Sequence, residues 1–239
     1  MPFSRANAEM EMTSKWRDEH CLVPKFRDAT AGVPPGFELH AFTLIELLVV
    51  IVIIAVLMGL AFPVFQSIQN QAKKTQAKND LTQIVTAVSA YYTEYGRYPV
   101  TGTTDVMVGP GGTTTNDALL KTLRGLDVAT NARQIVFISP PDVKDKANPR
   151  SGIATQDATV NGVSVKTGEF VDAWGTPYAI EVDADYTNQI ETNPYGANNG
   201  AGADNIRQGA IAWSRGKDQL LGKNGDGKFS GSDDVISWQ

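Results

Sequence analysis

One carboxylate stands at the head of a long apolar run. Glu46 is followed by Leu47 to Phe65, 19 residues (65 − 47 + 1) without a charge. A helix of that length spans the hydrocarbon of a bilayer. A charge inside such a segment costs roughly 2.5–3.5 kcal/mol on insertion scales, so Glu46 calls for a partner. The second group of chemistry-bearing residues lies near the C-terminus: Asp218, then Asn224, Asp226 and Lys228, then Asp233 and Asp234. On the EF-hand loop pattern Asn224 takes position 3, Asp226 position 5, Gly227 position 6, the Lys228 carbonyl position 7 and Asp233 position 12. Position 1 falls on Gly222, which offers no side-chain ligand, so Asp218 or Asp234 must complete any site. Oxygen ligands without thiol or imidazole suit Ca2+ better than a transition metal. A plain series of Asn/Asp/Gly turns has the same composition, and the residues alone leave both readings open.

Other chemistry is poorly provided for. His20 and His40 are the only histidines and Cys21 the only cysteine. Beyond His40 there is thus no Ser-His or Cys-His pair and no zinc site of those ligands, and a single cysteine permits no intramolecular disulfide. No P-loop or G-x-S-x-G motif occurs. Asp183 and Asp185 could pair as acid and base, but nothing directs a substrate to them. The formal net charge of −5 gives no basic field for nucleic acid. The expectation is a non-enzyme.

The elements that position these residues follow from periodicity. Residues 1–41 hold four prolines, five Lys/Arg and six Asp/Glu, and no apolar period survives there for long. Their layout is not that of a Sec signal peptide, because the apolar run begins too late and is too long. From Gln66 to Tyr95 there is neither Gly nor Pro. Leu81, Ile84, Val85, Val88, Tyr92 and Tyr95 recur at helical spacing, and Gly96 and Pro99 end the segment. Together with the apolar run this predicts about 54 residues of helix, roughly 80 Å long. Pro63 lacks its amide donor and is a place for a kink. Residues 100–116 read as loop and Asp117–Leu126 as a short helix. Ile135–Ile138, Val160–Val165, Tyr178–Val182 and Ala210–Trp213 read as strands, and 184–208 as a long loop. The fold class is therefore α+β: a long N-terminal helix, half transmembrane and half soluble, packed on a small antiparallel sheet.

Phe42-Thr43-Leu44-Ile45-Glu46-Leu47-Leu48-Val49-Val50-Ile51 resembles the N-terminal motif of type IV prepilins and type II secretion pseudopilins. Further on, Tyr95-Gly96-Arg97-Tyr98-Pro99, Asp172-Ala173-Trp174-Gly175-Thr176-Pro177-Tyr178, Ser214–Asp218 and Asp234–Trp238 resemble segments of the major, G-type pseudopilin. The resemblance implies that a prepilin peptidase cuts between Ala41 and Phe42 and methylates the new amine of Phe42. Residues 1–41 would be a leader that is removed. Glu46 becomes the fifth residue of the mature chain (46 − 41) and Pro63 the twenty-second (63 − 41), where the family carries its Glu and its helix-kinking Pro. Glu46 would then neutralise the Phe42 amine of a neighbouring subunit, giving both charges a partner in a water-free helix bundle.

The implied organisation is a leader (1–41), a transmembrane and assembly helix (42–65), its soluble continuation (66–99) and a globular head (100–239) with a calcium-loop region at 214–238. The implied role is structural: a homo-oligomeric filament subunit of a type II secretion pseudopilus, with other pseudopilins and an inner-membrane assembly platform as partners. A type IV pilus or minor pilin subunit is the first alternative. A non-polymerising single-pass protein with a calcium-binding recognition domain is the second. The resemblance places the N-terminus in the cytoplasm and the head in the periplasm of a bacterial inner-membrane protein, although Lys73, Lys74 and Lys78 after the run favour the opposite orientation on charge alone.

Overall fold

The structure is a computed structural model describing residues 42–239, without the side chains of residues 60–64. The expected leader, His20, Cys21, His40 and Ala41 lie outside the described residues, as does the side chain of Pro63. The chain divides into two compact units between Ile51 and Val52.

The first helix, α1, runs Leu44–Tyr95. In the first unit its described residues are apolar on every side except Glu46, and all are exposed. The expected span, 47–65, includes the residues 60–64. Among the described residues no helix is long and apolar enough to cross a membrane.

In the second unit the later part of α1 packs by one stripe. Ala77, Leu81, Ile84, Val88 and Tyr91 are fully buried, at spacings of 4, 3, 4 and 3 that keep one helical face inward. The expected stripe ran instead through Tyr92 to Tyr95, of which Tyr95 packs partly buried on the core. Tyr92 is exposed and stacks on Tyr98, with ring centroids 4.6 Å apart, because a residue 8 after Ile84 has rotated off the face that Tyr91 occupies. Gly96 ends the helix at φ 67°, donating its N–H to the Tyr92 carbonyl.

The sheet facing α1 has four antiparallel strands in the order β1 (Val106–Val108), β6 (Ala179–Val182), β7 (Ala210–Ser214), β8 (Val235–Ile236). Alternation decides its two faces. Ile180, Val182, Ala210 and Ala212 join the core with α1, while Ala179, Ile211, Trp213 and Ile236 face a second core closed by Tyr195, Ala201, Phe229 and Trp238. The loop 184–208 is irregular, as expected, but buries Ile190, Tyr195 and Ala201 in that second core. Between β1 and β6 come α2 (Asp117–Leu123) and two strand pairs, β2 (Gly152–Ile153) with β5 (Phe170–Val171), and β3 (Ala158–Val160) with β4 (Val163–Val165).

Four expectations need correction. The loop 100–116 contains β1, whose Val106 and Val108 pair with Val182 and Ile180. α2 stops at Leu123 and not at Leu126, because Gly125 takes φ 73° and Leu126 donates back to the Lys121 carbonyl. Ile135–Ile138 is not a strand. Asn131 occupies both the N–H and the C=O of Ile135, and Pro140 and Pro141 have no donor for a ladder. Val160–Val165 is not one strand but the turn end of a hairpin, since Asn161 and Gly162 adopt φ 48° and 86°, the geometry of a two-residue Asn-Gly turn.

Candidate functional site

The start of α1 is built as a capping box. The Thr43 N–H donates to Glu46 Oε2 at 2.9 Å and the Thr43 hydroxyl to the same oxygen at 2.8 Å. The Glu46 N–H in turn donates to Thr43 Oγ1 at 3.2 Å. Thr43 is the N-cap and Glu46 the third helical residue, so two otherwise orphaned amide donors are satisfied reciprocally. Glu46 thus has an intrachain role that its reading as an isolated charge misses. The signal was present: a Thr three residues before a Glu, opening an apolar run. Phe42 precedes the cap and is 80% exposed.

The C-terminal region converges on a set of carboxylates. Asp218, Asp233 and Asp234 each place one oxygen within 4.8 Å of the others. Backbone amides hold them there. Asp218 accepts from the N–H of Leu220 and of Asn224, Asp233 from that of Lys217, and Asp234 Oδ2 from that of Gly222 at 2.7 Å. Asp234 is only 5% exposed, and its Oδ1 is buried and makes no hydrogen bond of ordinary geometry. Burial, and then the neighbouring charges of Asp233 and Asp218, push the Asp234 carboxyl up to about 6, against the pull of the Gly222 N–H and of the nearby Tyr195 hydroxyl. A buried, unpaired carboxylate oxygen beside two more carboxylates is an arrangement that a hard cation completes.

The other expected ligands are placed differently. Asn224 sits at φ 54° and joins through its backbone N–H alone. Asp226 accepts from the Lys228 N–H at 2.9 Å, and the Lys228 carbonyl accepts from the Lys223 N–H. These three lie in their own turn at 223–228. Gly222 explains why the EF-hand register does not carry over. It has φ 76°, and a Cβ there would stand 2.4 Å from the Lys228 nitrogen, so no carboxylate-bearing residue fits the first position.

Two buried anchors, Asp172 and Tyr178 at the ends of a turn expected only to lead into a strand, hold the frame. The Asp172 Oδ1 accepts the N–H groups of Trp174, Gly175 and Thr176 at 2.8–3.0 Å, and its Oδ2 accepts the Ser214 hydroxyl at 2.5 Å. The turn 172–178 is thereby tied to the end of β7, just before the carboxylate loop. Burial pushes Asp172 up to about 6, against the pull of those donors. Tyr178 delivers its hydroxyl to Asp80 of α1 at 2.8 Å. A second acidic group, Asp105, Asp183 and Asp185, caps the loop that follows β6. Asp183 accepts from the N–H groups of Thr187 and Asn188, and Asp105 from that of Glu191.

Comparison with known proteins bears on the first of these sites. Residues 40–62 match the prokaryotic N-terminal methylation motif. Two type II secretion system core G proteins are similar. That of Pseudomonas aeruginosa is 43% identical over 60 residues, 25% of this chain and 42% of the relative. That of Pectobacterium carotovorum is 35% identical over 66 residues, 28% and 42%. The chain carries the N-terminus of a type IV pilin or pseudopilin. The type IV major pilin protein PilA of Myxococcus xanthus aligns at 40% identity over 59 residues, 25% of this chain and 27% of that pilin. The matches thus span between about a quarter and two-fifths of the relatives' own lengths, and no solved structure matches. Downstream of its pilin-type N-terminus, the chain's fold is α+β, with antiparallel sheets behind the long helix.

Proposed function

We propose that this pilin- or pseudopilin-like chain is a structural subunit of a type II secretion pseudopilus. Prepilin peptidase cuts between Ala41 and Phe42 and methylates the Phe42 amine. Residues 42–65 anchor the subunit in the inner membrane and then bundle with neighbouring copies into the filament core, with Pro63 absorbing any bend. The head lies in the periplasm. Polymerisation on an inner-membrane platform, together with other pseudopilins, pushes cargo outward. The observation that carries this reading is the run from Leu44 to Met58, exposed on all sides yet capped and helical from its first turn. Such a surface is stable only against lipid or other apolar helices.

Glu46 has two uses in this reading. In the single chain its carboxylate caps the helix. In the filament it faces the methylated amine of a neighbour, and that contact sets the stagger between subunits. In the head, Asp218, Asp233 and Asp234 would hold Ca2+, which supplies positive charge for three crowded carboxylates and cross-links a loop with little core of its own. Asn224, Asp226 and the Lys228 carbonyl stay in the adjoining turn unless the loop rearranges.

The test is Glu46→Ala in cells. Membrane insertion should persist, filaments should fail to form, and cargo should be retained. Normal filaments would refute the pairing role. Retained cargo with no loss of surface pili identifies the secretion system, whereas lost surface pili with normal secretion identifies the type IV pilus, the reading that the Myxococcus pilin match favours.

A further inference from the structure

The outer face of the sheet carries a cleft that the filament reading leaves unused. Period-two alternation brings Met107 of β1, its register partner Glu181 of β6, and Trp213 of β7 onto one face. Arg215 follows Trp213 on that face. Three loops wall the space, through Pro110 after β1, Pro194 from the long loop and Leu221 from the carboxylate loop. The cleft encloses about 260 Å³. That is below the usual range for a drug-sized ligand and suits a body of one or two residues.

Two residues lining the cleft hold buried N–H groups without an acceptor. Trp213 is 2% exposed, and its Nε1 has no partner. The Arg215 Nε is likewise buried and unpaired. Among the described residues no carboxylate stands within ion-pair distance of the Arg215 guanidinium. Buried donors are almost always satisfied in folded proteins, and each orphan costs about 1–3 kcal/mol. A half-buried guanidinium presents a planar fork that a carboxylate fills with two parallel bonds. Glu181 lines the same cleft; burial, and then the charge of Asp105, push its carboxyl up to about 7, so the partial charge it keeps near neutral pH opposes a dianion such as phosphate more than a monocarboxylate. Met107, Pro110, Pro194 and Leu221 offer the remaining surface to apolar atoms.

We infer that this cleft binds a carboxylate carried on a short apolar body, with Arg215 taking the carboxylate and Met107, Pro110, Pro194 and Leu221 enclosing the apolar part. The same chemistry is presented by the free C-terminus of a polypeptide and by a short aliphatic acid. The inference does not depend on the filament reading.

The experiment is calorimetric titration of the full chain in detergent, with tryptophan fluorescence followed in parallel. N-acetyl-leucine should bind saturably. N-acetyl-leucinamide, which lacks the charge, should bind at least about tenfold more weakly. Arg215→Gln should weaken N-acetyl-leucine by a similar factor, and Arg215→Lys, which keeps the charge but not the fork, by less. Inorganic phosphate should not displace the ligand. N-acetyl-Ala-Ala-Leu and hexanoate separate the sources: tighter binding of the peptide assigns a polypeptide terminus, tighter binding of hexanoate a free acid, and either supports the site. Equal binding of acid and amide, displacement by phosphate, or no saturation by about 10 mM overturns it. If Arg215→Gln does not fold, the amide and Arg215→Lys still decide.

Discussion

The two ends of α1 obey opposite rules. From Leu44 to Met58 it is apolar around its whole circumference, and every described side chain is exposed, Leu44 at 88%. From Ala77 to Tyr91 it is apolar on one face only, and Ala77, Leu81 and Ile84 are at 0%. The later part meets its own head. The earlier part has an apolar surface with no preferred side, so it asks for an environment that is apolar on all sides, which lipid and a filament core both provide. The polar groups follow the same division. In the later part Lys78 donates to the carbonyls of Ile236, Ser237 and Gln239, and Asp80 accepts from Tyr178. In the earlier part the one charged group, Glu46, is turned back on its own first turn.

The comparison is broken most forcefully by truncating one buried and one exposed residue of the same helix. Ile84→Ala should destabilise the head by about 2–5 kcal/mol, whereas Ile51→Ala should change the unfolding free energy of the head by no more than about 0.5 kcal/mol, both read from denaturant melts. Equal losses would mean that the two parts are packed alike. Asp172→Ala, which strands three buried amides behind the sheet, should cost about 3 kcal/mol or more. Asp172→Asn keeps an acceptor for those amides and should cost much less.

Asp172 also sets a pH dependence. Its carboxyl, at about 6 in the fold against 3.8 ordinarily, holds its proton longer folded than unfolded. Its contribution to stability should therefore fall as pH rises from about 4 to about 6 and level off above, by at most roughly 3 kcal/mol. Asp172→Asn should remove that share of the fall and leave those of Asp234 and Glu181, whose buried carboxyls are also pushed up, as followed by thermal melts at pH 4.5 and 7.

Saturating Ca2+ should stabilise the head by about 2.7 kcal/mol at a hundred times the dissociation constant, and Asp234→Asn should abolish the gain. Because Asp234 must lose its proton to bind a cation, the affinity should weaken as pH falls below about 6. A melting temperature indifferent to Ca2+ would remove the site. The smallest effect belongs to the exposed end. Thr43→Ala removes the cap and should fray the first turn by about 1 kcal/mol, seen as lost helical circular dichroism without any change in the head.

Much of this contrast was legible in the amino acids. The uniform apolar run, the stripe through Leu81, Ile84 and Val88, and the α+β order follow from periodicity. What was missed depends on long-range partners or on backbone sign. Tyr91 and Tyr92 are adjacent and alike, and only the angle accumulated from Ala77 separates them. Ile135–Ile138 has strand composition, but the Asn131 side chain takes the hydrogen bonds of Ile135, and Phe137 and Ile138 both donate to the Leu123 carbonyl. In the C-terminal loop the three carboxylates that meet are those at its ends, Asp218, Asp233 and Asp234. The middle residues, which match a linear motif better, are turned aside by a left-handed Gly222.

Assembly as proposed requires Phe42 to become a chain terminus, and the most direct measurement is mass spectrometry of the protein from cells with an active prepilin peptidase. The expected N-terminal peptide begins at Phe42 and carries one methyl group on its α-nitrogen. A peptide running through Ala41 into Phe42, with residues 1–41 still attached, would contradict it.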